Sequence, residues 1–149
     1  MIELLDQFLD LLARDSIRTK EVADGVGGVL ADPGIPSAIR IAPFSPKLRT
    51  ATLARYRESA LPFLLTLEPT PQCRPLLSTL TAAFGDCRRT LTGRGLPPTC
   101  IIEHARAGTD CTIAMIVTLS DIGAPSADPV ATFVALRRDH LLPDAPSGT

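Results

Sequence analysis

The hydrophobic period of this chain changes once, early, and that change limits the folds open to it. Leu5, Phe8, Leu9 and Leu12 recur at i, i+3, i+4 and i+7, the spacing that gathers side chains on one helical face. Glu3, Asp6 and Asp10 come early in this segment and Arg14 late, an order that suits the helix dipole, so residues 2–14 read as a helix. A weaker helical stripe of Val22, Val26, Val29 and Leu30 runs from about Lys20 to Ala31, with Thr19 as N-cap. Its glycines, Gly25, Gly27 and Gly28, each cost roughly 1 kcal/mol relative to alanine. The turn sequence Asp32-Pro-Gly-Ile-Pro36 follows, and beyond it the period falls towards two.

Period two means strands. Ala38–Ala42, Lys47–Arg57 and residues 61–68 fit, the last two joined by so short a turn that they should pair antiparallel. A helix then interrupts: Pro75 suits its first turn, Leu76, Leu77, Leu80, Ala83 and Phe84 form its stripe, and Gly85 stands where a left-handed C-cap belongs. Residues 86–98 read as an exposed loop. Thr99–Arg106 and Asp110–Leu119 form the best hairpin, rich in Ile, Val and Thr and bent around Ala107, Gly108 and Thr109. Asp128 and Pro129 resemble a helix start, and residues 130–138 fit either period. Strand is the preferred reading there, since β-branched residues crowd a helix.

These elements specify an α+β domain with an N-terminal helix pair, an antiparallel sheet of about five to six strands, and one further helix inserted between strands. Residues 1–140 form one domain and residues 141–149, with Pro143, Pro146 and Gly148, a fraying tail. No internal repeat is visible. At 149 residues the chain can bury roughly 68–70% of its unfolded surface, and 45% hydrophobic content with a net charge of −1 excludes disordered compositions.

Composition also narrows the partners. An isoelectric point near 6.1 and 4% aromatic residues argue against nucleic acid, which favours a basic face with stacking rings. No apolar run approaches the roughly 18 residues of a membrane span, and residues 1–14 lack a basic start and a continuous apolar stretch, so a cytoplasmic location is expected. Cys73, Cys87, Cys100 and Cys111 lack the paired spacing of zinc ligands. Reduced core thiols are the favoured reading, with a disulfide the alternative for an exported protein.

No motif commits the chain to catalysis, a cofactor or a metal. Gly25-Val-Gly-Gly completes no phosphate loop and no strand precedes it. One register of the hairpin would set His104 near Cys111, the proximity a thiolate and its base require, although a half-buried histidine on an apolar face explains His104 as well. His140, after Arg137, Arg138 and Asp139, reads as solvated. Two arginine clusters remain: Arg49, Arg55 and Arg57, of one parity on one strand, and Arg88, Arg89 and Arg94 in the loop. Either they form ordinary wet surface or they serve an acidic protein partner through forked pairs.

The pattern Leu76, Leu77, Leu80, Phe84, Gly85, followed by a proline-containing loop and the hairpin from Cys100 to Leu119, resembles small bacterial immunity-type proteins that accompany contact-dependent or type VI secreted toxins. That resemblance implies a small, stand-alone α+β protein that neutralises a toxin by occluding its active site. A monomer or homodimer without catalytic residues is expected. A secretion chaperone or adaptor is the second expectation, marked by dimerisation and an exposed apolar patch. A small enzyme using a Cys/His site is the third.

Overall fold

The computed structural model describes residues 1–15, 17–30, 38–55, 62–90, 96–108, 111–120 and 128–139. The 141–149 tail and His140 lie outside them. Among these residues, α1 (Ile2–Leu12) and α2 (Thr19–Val26) precede β1 (Gly27–Val29), β2 (Ala38–Pro43), β3 (Leu48–Arg55) and β4 (Pro62–Pro69). Helix α3 (Leu77–Phe84) follows, then β5 (Arg88–Thr90), β6 (Thr99–Ala107), β7 (Thr112–Leu119) and β8 (Ala131–Asp139). The protein is α+β with one antiparallel sheet, but the sheet has eight strands, not five or six. The two additional strands are short and glycine- or arginine-rich, so neither carries an apolar alternation. Residues 130–138 are resolved as a strand, because both edges of β8 are taken, by β4 and by β7.

The strand order is β1-β2-β3-β4-β8-β7-β6-β5. Two four-stranded meanders, each entered from a helix, therefore meet along β4 and β8, and a half-turn about an axis normal to the sheet exchanges them. The topology repeats where the residues do not. Alternation gives the sheet one buried face: Ile39, Leu53, Leu65, Leu136, Met115 and Ile102 stand in one row across adjoining strands, with Ile39 half-buried at its margin. Leu5, Leu9 and Leu12 of α1, Val22 and Val26 of α2 and Leu80 of α3 pack on that face in a single core.

Several local expectations are corrected by these tertiary contacts. Helix α2 stops at Val26 because Gly27 enters the sheet, with its N–H still bonded to the Ala23 carbonyl. A Cβ at Gly27 would lie 1.9 Å from the Ala42 carbonyl oxygen, so only glycine permits this approach. The N-cap of α2 is Arg18, whose N–H donates to Glu21 at 3.3 Å, and Thr19 is already helical. Pro75 falls outside α3: Leu76 bridges Val130, and Pro75 accepts a hydrogen bond from the Ala131 N–H at 2.8 Å. Asp128 starts no helix of its own. Its carboxylate accepts the Ser78 N–H at 3.0 Å and the Ser78 hydroxyl at 2.6 Å, so it caps α3 from 50 residues away. Gly85 has a positive φ of 117° with ψ 178°, an extended turn in place of a left-handed cap.

Two arginines fasten α1. Arg106 of β6 forks between Asp6 and Asp10, which lie on successive turns. Arg138, only 6% exposed, donates through Nη1 to the Leu12 and Arg14 carbonyls, both at 3.1 Å, at the negative end of the helix. Replacing Arg138 with methionine leaves the buried Leu12 carbonyl without a donor, and urea denaturation should show a loss of about 1–3 kcal/mol.

Asp128 sets a pH dependence. The Ser78 hydroxyl, and then the Ser78 N–H, hold its carboxyl below the ordinary value of 3.8. A carboxyl that titrates lower in the folded than in the unfolded chain stabilises fully at neutral pH and loses that effect as pH falls through its folded value. The melting-temperature gap between wild type and Asp128→Ala should therefore be full at neutral pH and close below pH 3.8.

Candidate functional site

The two arginine clusters meet different fates. Strict alternation would put Arg49 and Arg55 on the face of Ala51 and Leu53, which are 2% and 0% exposed, so that face is core and not wet. A bulge resolves the conflict for Arg49: the register slips between Leu48 and Thr50, Leu48 turns inward, and Arg49 turns out towards Glu68 at 4.0 Å. A second slip lies between Ala54 and Arg55. Arg57 and Arg94 are outside the described residues.

Arg88 and Arg89 belong to β5 and not to a loop. They pair with Ile101 and Cys100 of β6, and the hydroxyls of Thr90 and Thr99 meet at the end of the strand. Cys87 and Cys100 are joined as a disulfide, with Cα atoms 5.7 Å apart, which corrects the expectation of four reduced thiols; Cys73 and Cys111 are free. Spacing in sequence could not reveal this pair, because the contact depends on α3 delivering Cys87 to the edge of β6.

This junction creates the candidate site. Strand β5 pairs only with Thr99–Ile101, while β6 runs on to Ala107, so from Ile102 onward β6 has no strand on its outer side among the described residues. A cavity of about 360 Å³ opens there. Phe84, Ile101 and Ile102 supply apolar walls, and Arg88, Glu103 and His104 supply polar groups. Gly85 lines it with a positive φ of 117°, a backbone conformation that strains any other residue there. Arg88 Nη2 donates to Glu103 Oε1 at 2.9 Å, with both side chains more than half exposed. Such a pair is weakly held and can exchange partners.

The Cys/His arrangement takes a different form from the one the register suggested. The paired ends of β6 and β7 are separated by an even number of residues at Ile102 and Met115, the register that favours proximity. A bulge between Ile102 and Arg106 then breaks the alternation. His104 is exposed at the cavity, whereas Cys111 is 5% exposed beside Gly108 and the Ala13 carbonyl. Among the described residues no group of three His, Cys, Asp or Glu side chains is placed to hold a metal, and no helix is long and apolar enough to cross a membrane. In sequence Glu103 is a single carboxylate on a strand; its pairing with Arg88 depends on the β5–β6 register.

Comparison with protein-family models, with curated proteins and with solved structures finds no match to this chain.

The cysteine pairing has a direct readout. Alkylation of unfolded, unreduced protein should label Cys73 and Cys111 alone, and prior reduction should add Cys87 and Cys100, as counted by peptide mass spectrometry.

Proposed function

We propose that this is a non-catalytic protein-binding domain, an immunity-type inhibitor that neutralises a cognate bacterial toxin by occlusion. The observation that carries the reading is the cavity beside the outer edge of β6, which beyond Ile101 has no strand partner among the described residues, rimmed by the exposed Arg88–Glu103 pair. An extended segment of a partner can lie there in line with β5, its backbone bonding to β6 and an apolar side chain entering between Phe84 and Ile102. A partner carboxylate can take the place of Glu103 on Arg88, a forked pair that gains strength as the interface excludes water. Arg89 stands beside it on β5.

A second reading, secretion chaperone or adaptor, draws support from a separate observation: exposed Val29, Leu30 and Phe44, an apolar group suited to holding client chain. Location goes with the cysteines. A cytoplasmic protein would hold Cys87 and Cys100 reduced, while a persistent bond belongs to an oxidising compartment.

The test is co-expression with the product of the neighbouring gene, followed by titration of the purified pair. Arg88→Glu should weaken the complex about tenfold or more, equivalent to about 1.4 kcal/mol. Arg49→Glu, on the other meander, should leave affinity unchanged. Folding should tolerate both changes, because exposed ion pairs contribute little stability. Equal affinity for wild type and Arg88→Glu places the interface elsewhere.

A further inference from the structure

The sheet ends in two edges of opposite chemistry. Strand β5 presents Arg88, Arg89 and Thr90, charges that discourage edge pairing. Strand β1 is Gly27-Gly28-Val29 and carries no charge. Val29 itself, Leu30 after it and Phe44 nearby are 54%, 44% and 72% exposed, half of the six large apolar side chains exposed among the described residues.

The hydrogen bonds show which way this edge faces. The Leu30 N–H donates to Arg40 at 2.9 Å and the Phe44 N–H donates to Val26 at 3.0 Å. Backbone groups alternate in an antiparallel pair. Residues 26, 28 and 30 therefore point into the sheet, and the N–H and C=O of Val29 point away from it.

We infer that β1 pairs with β1 of a second copy of this chain, antiparallel about a two-fold axis at Val29. That axis lets each Val29 N–H donate to the other Val29 carbonyl. It also sets Leu30 of each copy opposite Gly28 of the other. Gly28 is fitted to this: a Cβ built there meets nothing within 4 Å, so the single chain leaves room that the partner's Leu30 fills. The edge is self-complementary: under the two-fold, the open space at Gly28 of each copy meets the exposed Leu30 of the other, and β1 brings no charge against itself, whereas β5 facing its own copy would oppose arginines. The strand is short and the interface small, so the dimer is reversible and dissociates on dilution.

Sedimentation of the full chain under reducing conditions tests this. Wild type should move with concentration from 15.8 kDa towards twice that mass. Gly28→Val has space in the single chain but collides with Leu30 of the second copy, and Val29→Lys sets two cations at the axis. Each should weaken the dimer about tenfold or more while leaving the circular dichroism spectrum and thermal unfolding of the dilute protein unchanged. Arg88→Glu, on the opposite edge, should dimerise as wild type does. A wild type that stays monomeric at every concentration overturns the inference, and so does a dimer that Gly28→Val and Val29→Lys both leave intact.

Discussion

The antiparallel pairing of β4 with β8 is the contact on which the rest of the molecule depends. Four residue pairs, from Leu64 with Arg137 to Leu67 with Val134, join two meanders that would otherwise be separate small sheets. On the buried side of this seam, Leu65, Leu67, Val134 and Leu136 lie in the middle of the core. Burial of such side chains, at about 1.5–3 kcal/mol each, offsets the entropy of closing the connection from Pro69 to Ala131, about sixty residues.

The seam also explains how α3 is held. Its N-terminus is seated on the strand entering β8, through Asp128 and the bridge between Leu76 and Val130, and its C-terminus passes through Gly85 to Cys87. The helix thus spans from the start of β8 to the outer edge of the sheet, and its far end leaves the cavity beside β6. The candidate site is a by-product of unequal strand lengths: β5 is three residues long and β6 is nine. The same inequality holds at the other edge, where a three-residue β1 lies against a six-residue β2. Charge distinguishes the two edges: β5 carries two arginines and β1 none.

Legibility followed the physics of local pattern. The first helix, the hairpin of β6 and β7 and the strand character of β3 and β4 were readable because period and burial agree there: Leu5, Leu9 and Leu12, like Ile113, Met115 and Val117, all reach the core. The arginine clusters were misplaced because alternation presumes an unbroken ladder. A bulge at Arg49 reverses the facing of every residue on one side of it, and another between Ile102 and Arg106 takes His104 out of register with Cys111. Arg138 belongs in sequence to a charged cluster with the character of solvated surface, yet it is buried; for Arg106, Asp6 and Asp10, one helical turn apart, are the available signal of a cation between them.

The sequence by itself determined the class of this protein: helices first, then alternating strands with one helix among them, and a composition that suits a single core. Those features depend on neighbours a few residues apart, which the chain states directly. Tertiary structure alone decided the two short edge strands, the Cys87–Cys100 bond, the cap that Asp128 provides for α3 and the cavity beside β6. Each of these depends on residues distant in sequence meeting at the margin of the sheet. Their meeting is set by strand order and register, which follow from how eight strands and three helices bury one common face.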